Sequence, residues 1–166
     1  MCCLQETYFR QKDTSSLKMK GWKNIYHSNG PQKKAGVVIL ISDKLKFAPK
    51  IVVRDEERQY IILKGSIQQE DLTIMNIYAL NVRAAKYINQ LITKVKTYLD
   101  NNTLMVGDFN MVLFANDRSS KHNISKETRA LNDTLDQMDF TDIYRTLHPN
   151  ATEYNSSQVH MEISPE

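Results

Sequence analysis

The sequence is poor in the features that mark disulfide-linked, membrane-spanning or secreted proteins. Among 166 residues there are two cysteines, Cys2 and Cys3, and strand neighbours face opposite ways, so these two cannot easily form a disulfide with each other. The longest apolar run, Val37 to Ile41, is too short to cross a bilayer. No charged start followed by an apolar segment marks a secretion signal. We therefore expect an intracellular protein, nuclear or cytoplasmic, without a disulfide-linked or membrane partner.

The charge of the chain is nearly balanced. There are 22 lysines and arginines against 19 aspartates and glutamates, a net charge of +3 with a pI near 8.8. This mild excess is compatible with a polyanionic partner but does not identify one. The hydrophobic fraction of 41% and charged fraction of 25% are ordinary for one globular domain, and no repeat or linker divides the chain.

Short apolar or alternating segments in the first half predict strands. The connectors between them are brief, which favours hairpins and hence an antiparallel or mixed sheet. The predicted strands are Met1 to Leu4, Trp22 to His27, Gly36 to Ser42, Phe47 to Arg54, Tyr60 to Ile67 and Leu72 to Ala79.

The second half has the 3.6-residue period of helices. Ala84 to Asp100 carries an apolar stripe typical of an amphipathic helix, and Ser125 to Met138 predicts another, with Ser125 as its N-cap. Asp139 to Pro149 is expected to be a connection and Ala151 to Tyr154 a short strand. Strands followed by helices predict an α/β sandwich over residues 1–154. Residues 155–166 are polar, and we expect a disordered tail.

The most informative stretch surrounds Asp108 and Asn110. The apolar residues Leu104 to Val106 predict a buried strand, and these two polar residues follow it. On an extended backbone, residues two apart share a face, so both could enter one cleft while Phe109 enters the core. Ligands bind at the carboxyl ends of parallel strands, which favours a site here. A surface turn of Gly, Asp and Asn is the alternative.

Other polar residues follow predicted strands in the same way. Glu6 comes after the apolar start of the chain, Tyr78 stands between Asn76 and Asn81, and Asp117-Arg118-Ser119 follows later. A lone glutamate is usually solvated, and Tyr78 could be a core aromatic. Two strands that each end in an acid make a shared site the better interpretation.

Several motifs resemble one family when taken in order. Cys3 to Thr7 (Cys-Leu-Gln-Glu-Thr), Asn76 to Ala79 (Asn-Ile-Tyr-Ala) and Gly107 to Asn110 (Gly-Asp-Phe-Asn) resemble the endonuclease/exonuclease/phosphatase superfamily. The closer resemblance is to the apurinic/apyrimidinic-like endonuclease domain of the LINE retrotransposon reverse-transcriptase protein, over residues 2–154. It implies a two-sheet α/β sandwich of the DNase I-like type.

The resemblance also implies a Mg²⁺-dependent phosphodiester hydrolase that nicks DNA. The glutamate matching Glu6 holds the metal, and the aspartate matching Asp108 orients or deprotonates the attacking water. The asparagine matching Asn110 donates a hydrogen bond to the scissile phosphate, and the tyrosine matching Tyr78 lies beside it. Such a set balances the charge that develops on the phosphoryl oxygens.

The resemblance further places Arg118 and Asn155 near DNA, although a solvated loop charge is the alternative for Arg118. It has departures too. The match begins after a first-strand asparagine of the family, lacks its later Ser-Asp-His, and has Leu80 at a family proline. We therefore expect a chain truncated at both ends, with an incomplete sandwich and impaired catalysis. An inactive remnant that binds nucleic acid weakly, a different phosphoester substrate and a purely structural module remain open alternatives.

Overall fold

In the computed structural model, two β-sheets pack face to face and helices cover the outer face of the larger sheet. The structure describes residues 1–10, 12–13, 19–30, 35–80, 82–111, 125–147 and 158–163. Its elements in chain order are β1 (Cys2–Leu4), β2 (Asn24–Ser28), β3 (Val37–Ile41), β4 (Phe47–Arg54), β5 (Tyr60–Ile67), β6 (Glu70–Tyr78), α1 (Ala84–Val95), a 3₁₀ turn (Lys96–Tyr98), β7 (Thr103–Asp108), α2 (Lys126–Gln137), β8 (Phe140–Asp142), α3 (Ile143–Leu147) and β9 (Gln158–Ile163).

The smaller sheet is antiparallel, with β3 between β1 and β2. Cys3 and Tyr26 are both paired with Ile39 of the central strand. All five residues of β3 are buried. A strand that is paired on both edges and buried on both faces explains why Val37 to Ile41 is continuously apolar instead of alternating.

The larger sheet has the order β4-β5-β6-β7-β9-β8. Strands β4, β5 and β6 form an antiparallel meander, as their short connectors predicted, whereas β6 and β7 are parallel. Parallel neighbours need a long crossover, and α1 provides it. The prediction of a mixed sheet is thus confirmed, and the carboxyl ends of β6 and β7 lie side by side.

Alternation along the strands divides the apolar residues between two cores. Ile61 and Leu63 of β5 pack between the sheets with Ile39, whereas Ile62 packs outwards against Ile88 of α1. This confirms the predicted α/β sandwich with helices on the outer face.

The two predicted helices are present with small differences in length. The first ends at Val95 and continues as a 3₁₀ turn rather than reaching Asp100. The second begins as predicted, because the Ser125 side chain accepts a hydrogen bond of 3.1 Å from the backbone N–H of Thr128. Ser125 therefore satisfies one of the N–H groups left unpaired at a helix start.

The end of the chain differs from the prediction. Residues 158–163, expected within a disordered tail, form β9 between β7 and β8, and the expected connection after Asp139 contains β8 and α3. Met161 is the register partner of Met105 and is 2% exposed. Polar residues obscured this strand in the sequence, since it is stabilised by pairing with a distant neighbour. The predicted strand at Ala151 to Tyr154 lies outside the described residues.

The two cysteines of β1 are both free thiols. Burial, followed by the proximity of Cys2, raises the pKa of the Cys3 thiol to about 12. Within the described ranges, no helix combines the length and apolar character that a membrane crossing requires.

Candidate active site

The candidate site lies where the parallel strands β6 and β7 end together. Tyr78 and Asp108 are register partners at the last residues of these strands, so their side chains project from the same face. The backbone N–H of Ala79 donates to the Asp108 carbonyl over 2.9 Å. This pairing fixes the spacing of the two side chains at the edge of the larger sheet.

Glu6 reaches this position from the smaller sheet. It follows the end of β1, and its carboxylate accepts a hydrogen bond from the Tyr78 hydroxyl. Glu6 has a left-handed backbone with φ of 52°, an uncommon conformation for a residue other than glycine. Its side chain remains exposed to solvent. The contact therefore joins the two sheets through functional groups that are 72 positions apart in the chain.

The electrostatics of Tyr78 and Asp108 show that the three groups are close. The pKa of Asp108 is raised, first by burial and also by the negative charge of Glu6, while the Asn110 backbone N–H opposes the shift. The pKa of Tyr78 is strongly raised by its hydrogen bond to Glu6, by burial, and by charges that include Asp108. Tyr78 thus stays a neutral hydrogen-bond donor at physiological pH.

Asn110 lies beside Asp108 but not through strand alternation. The extended backbone ends at Asp108, and Asn110 turns into the left-handed region with φ of 47°. The Asp108 carboxylate accepts the Asn110 N–H at 3.0 Å, forming an Asx turn, and the Asn110 amide donates to the Ala79 carbonyl at 2.7 Å. Phe109 is fully buried, as expected. The turn interpretation of this motif is therefore confirmed, and the turn places Asn110 beside Asp108.

The donor set suits a hard divalent cation. Mg²⁺ in proteins takes one or two carboxylates and completes its octahedral shell with water and phosphate oxygens. The exposed Glu6 carboxylate and the Asp108 carboxylate, whose pKa is raised first by burial and also by the negative charge of Glu6, provide that chemistry. Across the described part of the chain, no group of three or more His, Cys, Asp or Glu side chains is arranged to hold a metal. The residues fit a lightly coordinated Mg²⁺ rather than a caged ion.

Two of the predicted site residues lie outside the described part of the chain, and two residues without a predicted catalytic role lie next to Glu6. Arg118 and Asn155, predicted to contact nucleic acid, lie outside the described residues. No role is predicted for Gln5, and Asn76 is predicted only as a neighbour of Tyr78, yet their side chains are hydrogen-bonded at 2.6 Å beside Glu6. A polar Asn76 on the same strand face as Tyr78, within an apolar strand, was the available signal.

The match to a known family agrees with this geometry. Residues 1–158 match the profile of the Endonuclease/Exonuclease/phosphatase family. That range includes β1, the β6–β7 edge and every candidate residue discussed above. The chain belongs to this family.

Solved structures with the same fold include proteins that act on nucleic acids. The 3' phosphatase NExo from Neisseria, bound to product DNA hairpin, is 17% identical, with a TM-score of 0.65 over 98% of this chain and 75% of that one. The endonuclease domain of TRAS1, a telomere-specific non-LTR retrotransposon, is 14% identical, with a TM-score of 0.56 over 87% and 66%. TDP2 of D. rerio, complexed with single strand DNA product, is 11% identical, with a TM-score of 0.58 over 98% and 70%.

Proposed function

We propose that this protein is a Mg²⁺-dependent phosphodiester hydrolase that nicks DNA. The supporting observation is the convergence of Glu6, Tyr78 and Asp108 at one edge of the sandwich, from strands of both sheets. Family membership supports phosphoester hydrolysis in general. The geometry supports Glu6, Tyr78 and Asp108 as the side chains that would carry it.

Each side chain has a distinct part in the proposed reaction. Glu6 would hold Mg²⁺, which when bound would polarise the scissile phosphate and offset the charge that develops there. Asp108 orients the attacking water and accepts its proton, a role favoured by a raised carboxyl pKa. Tyr78 donates to Glu6 and keeps its carboxylate oriented, and Asn110, fixed by the Asx turn, donates to a phosphate oxygen.

DNA is the proposed substrate for two reasons. NExo and D. rerio TDP2 were both solved with product DNA, and TRAS1 supplies a retrotransposon endonuclease domain of this fold. The net charge of +3 is compatible with a polyanion.

We propose an origin in a LINE-like retrotransposon, an intracellular location, and DNA contacts by Arg118 and Asn155.

Plasmid nicking tests the proposal. Wild-type protein with Mg²⁺ should convert supercoiled plasmid to the open circle, and EDTA should stop it. Asp108→Asn should reduce the rate by about 100-fold, because it removes the proton acceptor. Asp71→Asn, which removes a carboxylate that is 62% exposed in an ion pair with Lys50, is the matched control and should retain the rate. Nicking that persists in Asp108→Asn, or none in the wild type, contradicts hydrolysis at this site.

Nucleic-acid binding without hydrolysis is the second candidate. It is favoured by the small donor set, since no third His, Cys, Asp or Glu joins Glu6 and Asp108 within the described ranges. It predicts an affinity for duplex DNA that falls steeply as salt rises, with no open circle at any Mg²⁺ concentration. Fluorescence anisotropy at increasing salt measures this, and binding that is insensitive to salt would reject it.

A further inference from the structure

A buried asparagine joins the two sheets directly behind the candidate site. Asn76 of β6 has no exposed surface, and it lies on the face between the sheets, two residues before Tyr78. Its side-chain amide donates to the carbonyl oxygens of Leu4 at 3.1 Å and Val38 at 3.0 Å. Leu4 and Val38 are themselves register partners. One side chain of the larger sheet therefore binds the last pair of the β1–β3 ladder.

Asn76 also holds the residue that precedes Glu6. Its side-chain oxygen accepts a hydrogen bond of 2.6 Å from the Gln5 side chain. On the other side of Glu6, the Thr7 N–H donates to the Gly36 carbonyl over 3.1 Å. Glu6 is thus anchored through both neighbours while its own carboxylate meets Tyr78.

Packing alone does not explain an asparagine here. Burial of an amide costs free energy unless it is fully hydrogen-bonded, and an apolar residue of similar size would fill the same space between Ile74 and Tyr78. Both amide hydrogens of Asn76 and its oxygen are used, and all three bonds end within two residues of Glu6 or on the strand beside it. The bonds are therefore concentrated on the segment that presents the carboxylate.

We infer that Asn76, together with Gln5, is a positioning residue that sets Glu6 against Tyr78 and so forms the cation-binding edge of the site. The inference rests on the proposed function, because it assigns Glu6 to a divalent cation. It concerns residues that touch neither the substrate nor the ion. Mutation of residues that orient metal ligands without touching the metal commonly changes the metal affinity by 10- to 100-fold.

Asn76→Leu tests the inference, since leucine fills the space and removes all three bonds. In the full chain, the nuclear Overhauser contact between the Tyr78 ring and the Glu6 methylenes should disappear. The dissociation constant for Mg²⁺, measured by calorimetric titration, should rise at least about tenfold. Thr73→Val is the matched control, because Thr73 is equally buried in β6 but binds Asp100 at the opposite end of the strand. It should leave both readouts unchanged.

Each result decides the inference. Retention of the Tyr78–Glu6 contact and the Mg²⁺ affinity in Asn76→Leu overturns it, and so does an equal loss of both in Thr73→Val, which would show a general effect of destabilisation. If Asn76→Leu does not fold, Gln5→Met removes one bond from the partly exposed side of the pair. It should shift both readouts in the same direction by a smaller amount, and no shift overturns the inference.

The proposed function can fail separately. Wild-type protein that neither binds Mg²⁺ nor nicks plasmid contradicts the hydrolase. The Tyr78–Glu6 contact can be measured without metal or DNA, so it still decides whether Asn76 positions Glu6.

Discussion

At the scale of single residues, the site brings the Glu6 and Asp108 carboxylates close enough to repel each other. Asp108 is partly buried and is repelled by the negative charge of Glu6, while its carboxylate accepts a hydrogen bond from the Asn110 N–H. Its ionised form is therefore less favourable in the folded protein than in the unfolded chain. Sites that bind cations or transfer protons commonly carry such a repulsion, at a cost in stability.

Removal of the Asp108 charge should stabilise the fold above mildly acidic pH. Burial and the Glu6 charge raise the pKa of Asp108, so the folded state binds more protons than the unfolded state as pH rises from about 4 to the folded pKa. The free energy of unfolding falls across that window. Because its side chain at this position cannot ionise, the Asp108→Asn variant does not lose this free energy of unfolding.

We therefore expect Asp108→Asn to melt a few degrees above the wild type at pH 7 in EDTA, with the difference vanishing near pH 3. Thermal melts followed by circular dichroism measure it. Asp71→Asn should show no such gain, because that carboxylate is exposed and paired with Lys50. A lower melting temperature for Asp108→Asn at pH 7 would contradict this account of the site.

At the scale of elements, the site depends on the close approach of β6 and β7. Gly107 has a φ of 154°, and a Cβ there would lie 2.0 Å from the Ile77 carbonyl oxygen. Ile77 and Gly107 are register partners, immediately before the Tyr78–Asp108 pair. Only glycine allows the two strands to meet at this point, which gives the glycine of the Gly-Asp-Phe-Asn motif a physical reason.

Gly107→Ala should be strongly destabilising. The new methyl group would collide with backbone rather than with a side chain that can move, so we expect a loss of roughly 3 kcal/mol in the free energy of unfolding. Gly21→Ala is the control, because its φ of 86° is also unfavourable but its Cβ would meet no atom within 4 Å. It should cost only about 1 kcal/mol. Urea unfolding measures both, and equal losses would show that backbone conformation alone explains the effect.

At the scale of the whole molecule, the larger sheet is completed by residues that are distant along the chain from its central strands. Strand β9 lies between β7 and β8, and Met161 enters the outer core with Phe140. The strand that carries Asp108 is therefore paired on both edges. This tertiary pairing protects it from the edge-to-edge association that an open strand invites.

Deletion of residues 158–166 should abolish the cooperative thermal transition of the protein, since it exposes one edge of β7 and isolates β8. Met161→Ala, which leaves the strand in place, should cost about 2–5 kcal/mol in the free energy of unfolding. Differential scanning calorimetry of the deletion variant and urea unfolding of Met161→Ala measure these effects. A deletion variant that melts like the wild type would restore the prediction of a disordered tail.

The sequence alone determined much of this protein, because the signals involved are local. Periods of two and 3.6 residues predicted the central strands and both long helices, with β4 and β5 at the right residues. Ser125 identified a helix start by the chemistry of its own side chain. The order of short motifs from Cys3 to Asn110 indicated the family.

Tertiary structure decided the features in which distant residues meet. The sequence could not show that Asn76 and Gln5 hold Glu6 from behind, or that Gln158–Ile163 pairs with β7. Each depends on long-range hydrogen bonds that outweigh local preference, and a polar residue carries no mark of the partner it will meet. The site is therefore a property of the two packed sheets, although every side chain in it belongs to a short local motif.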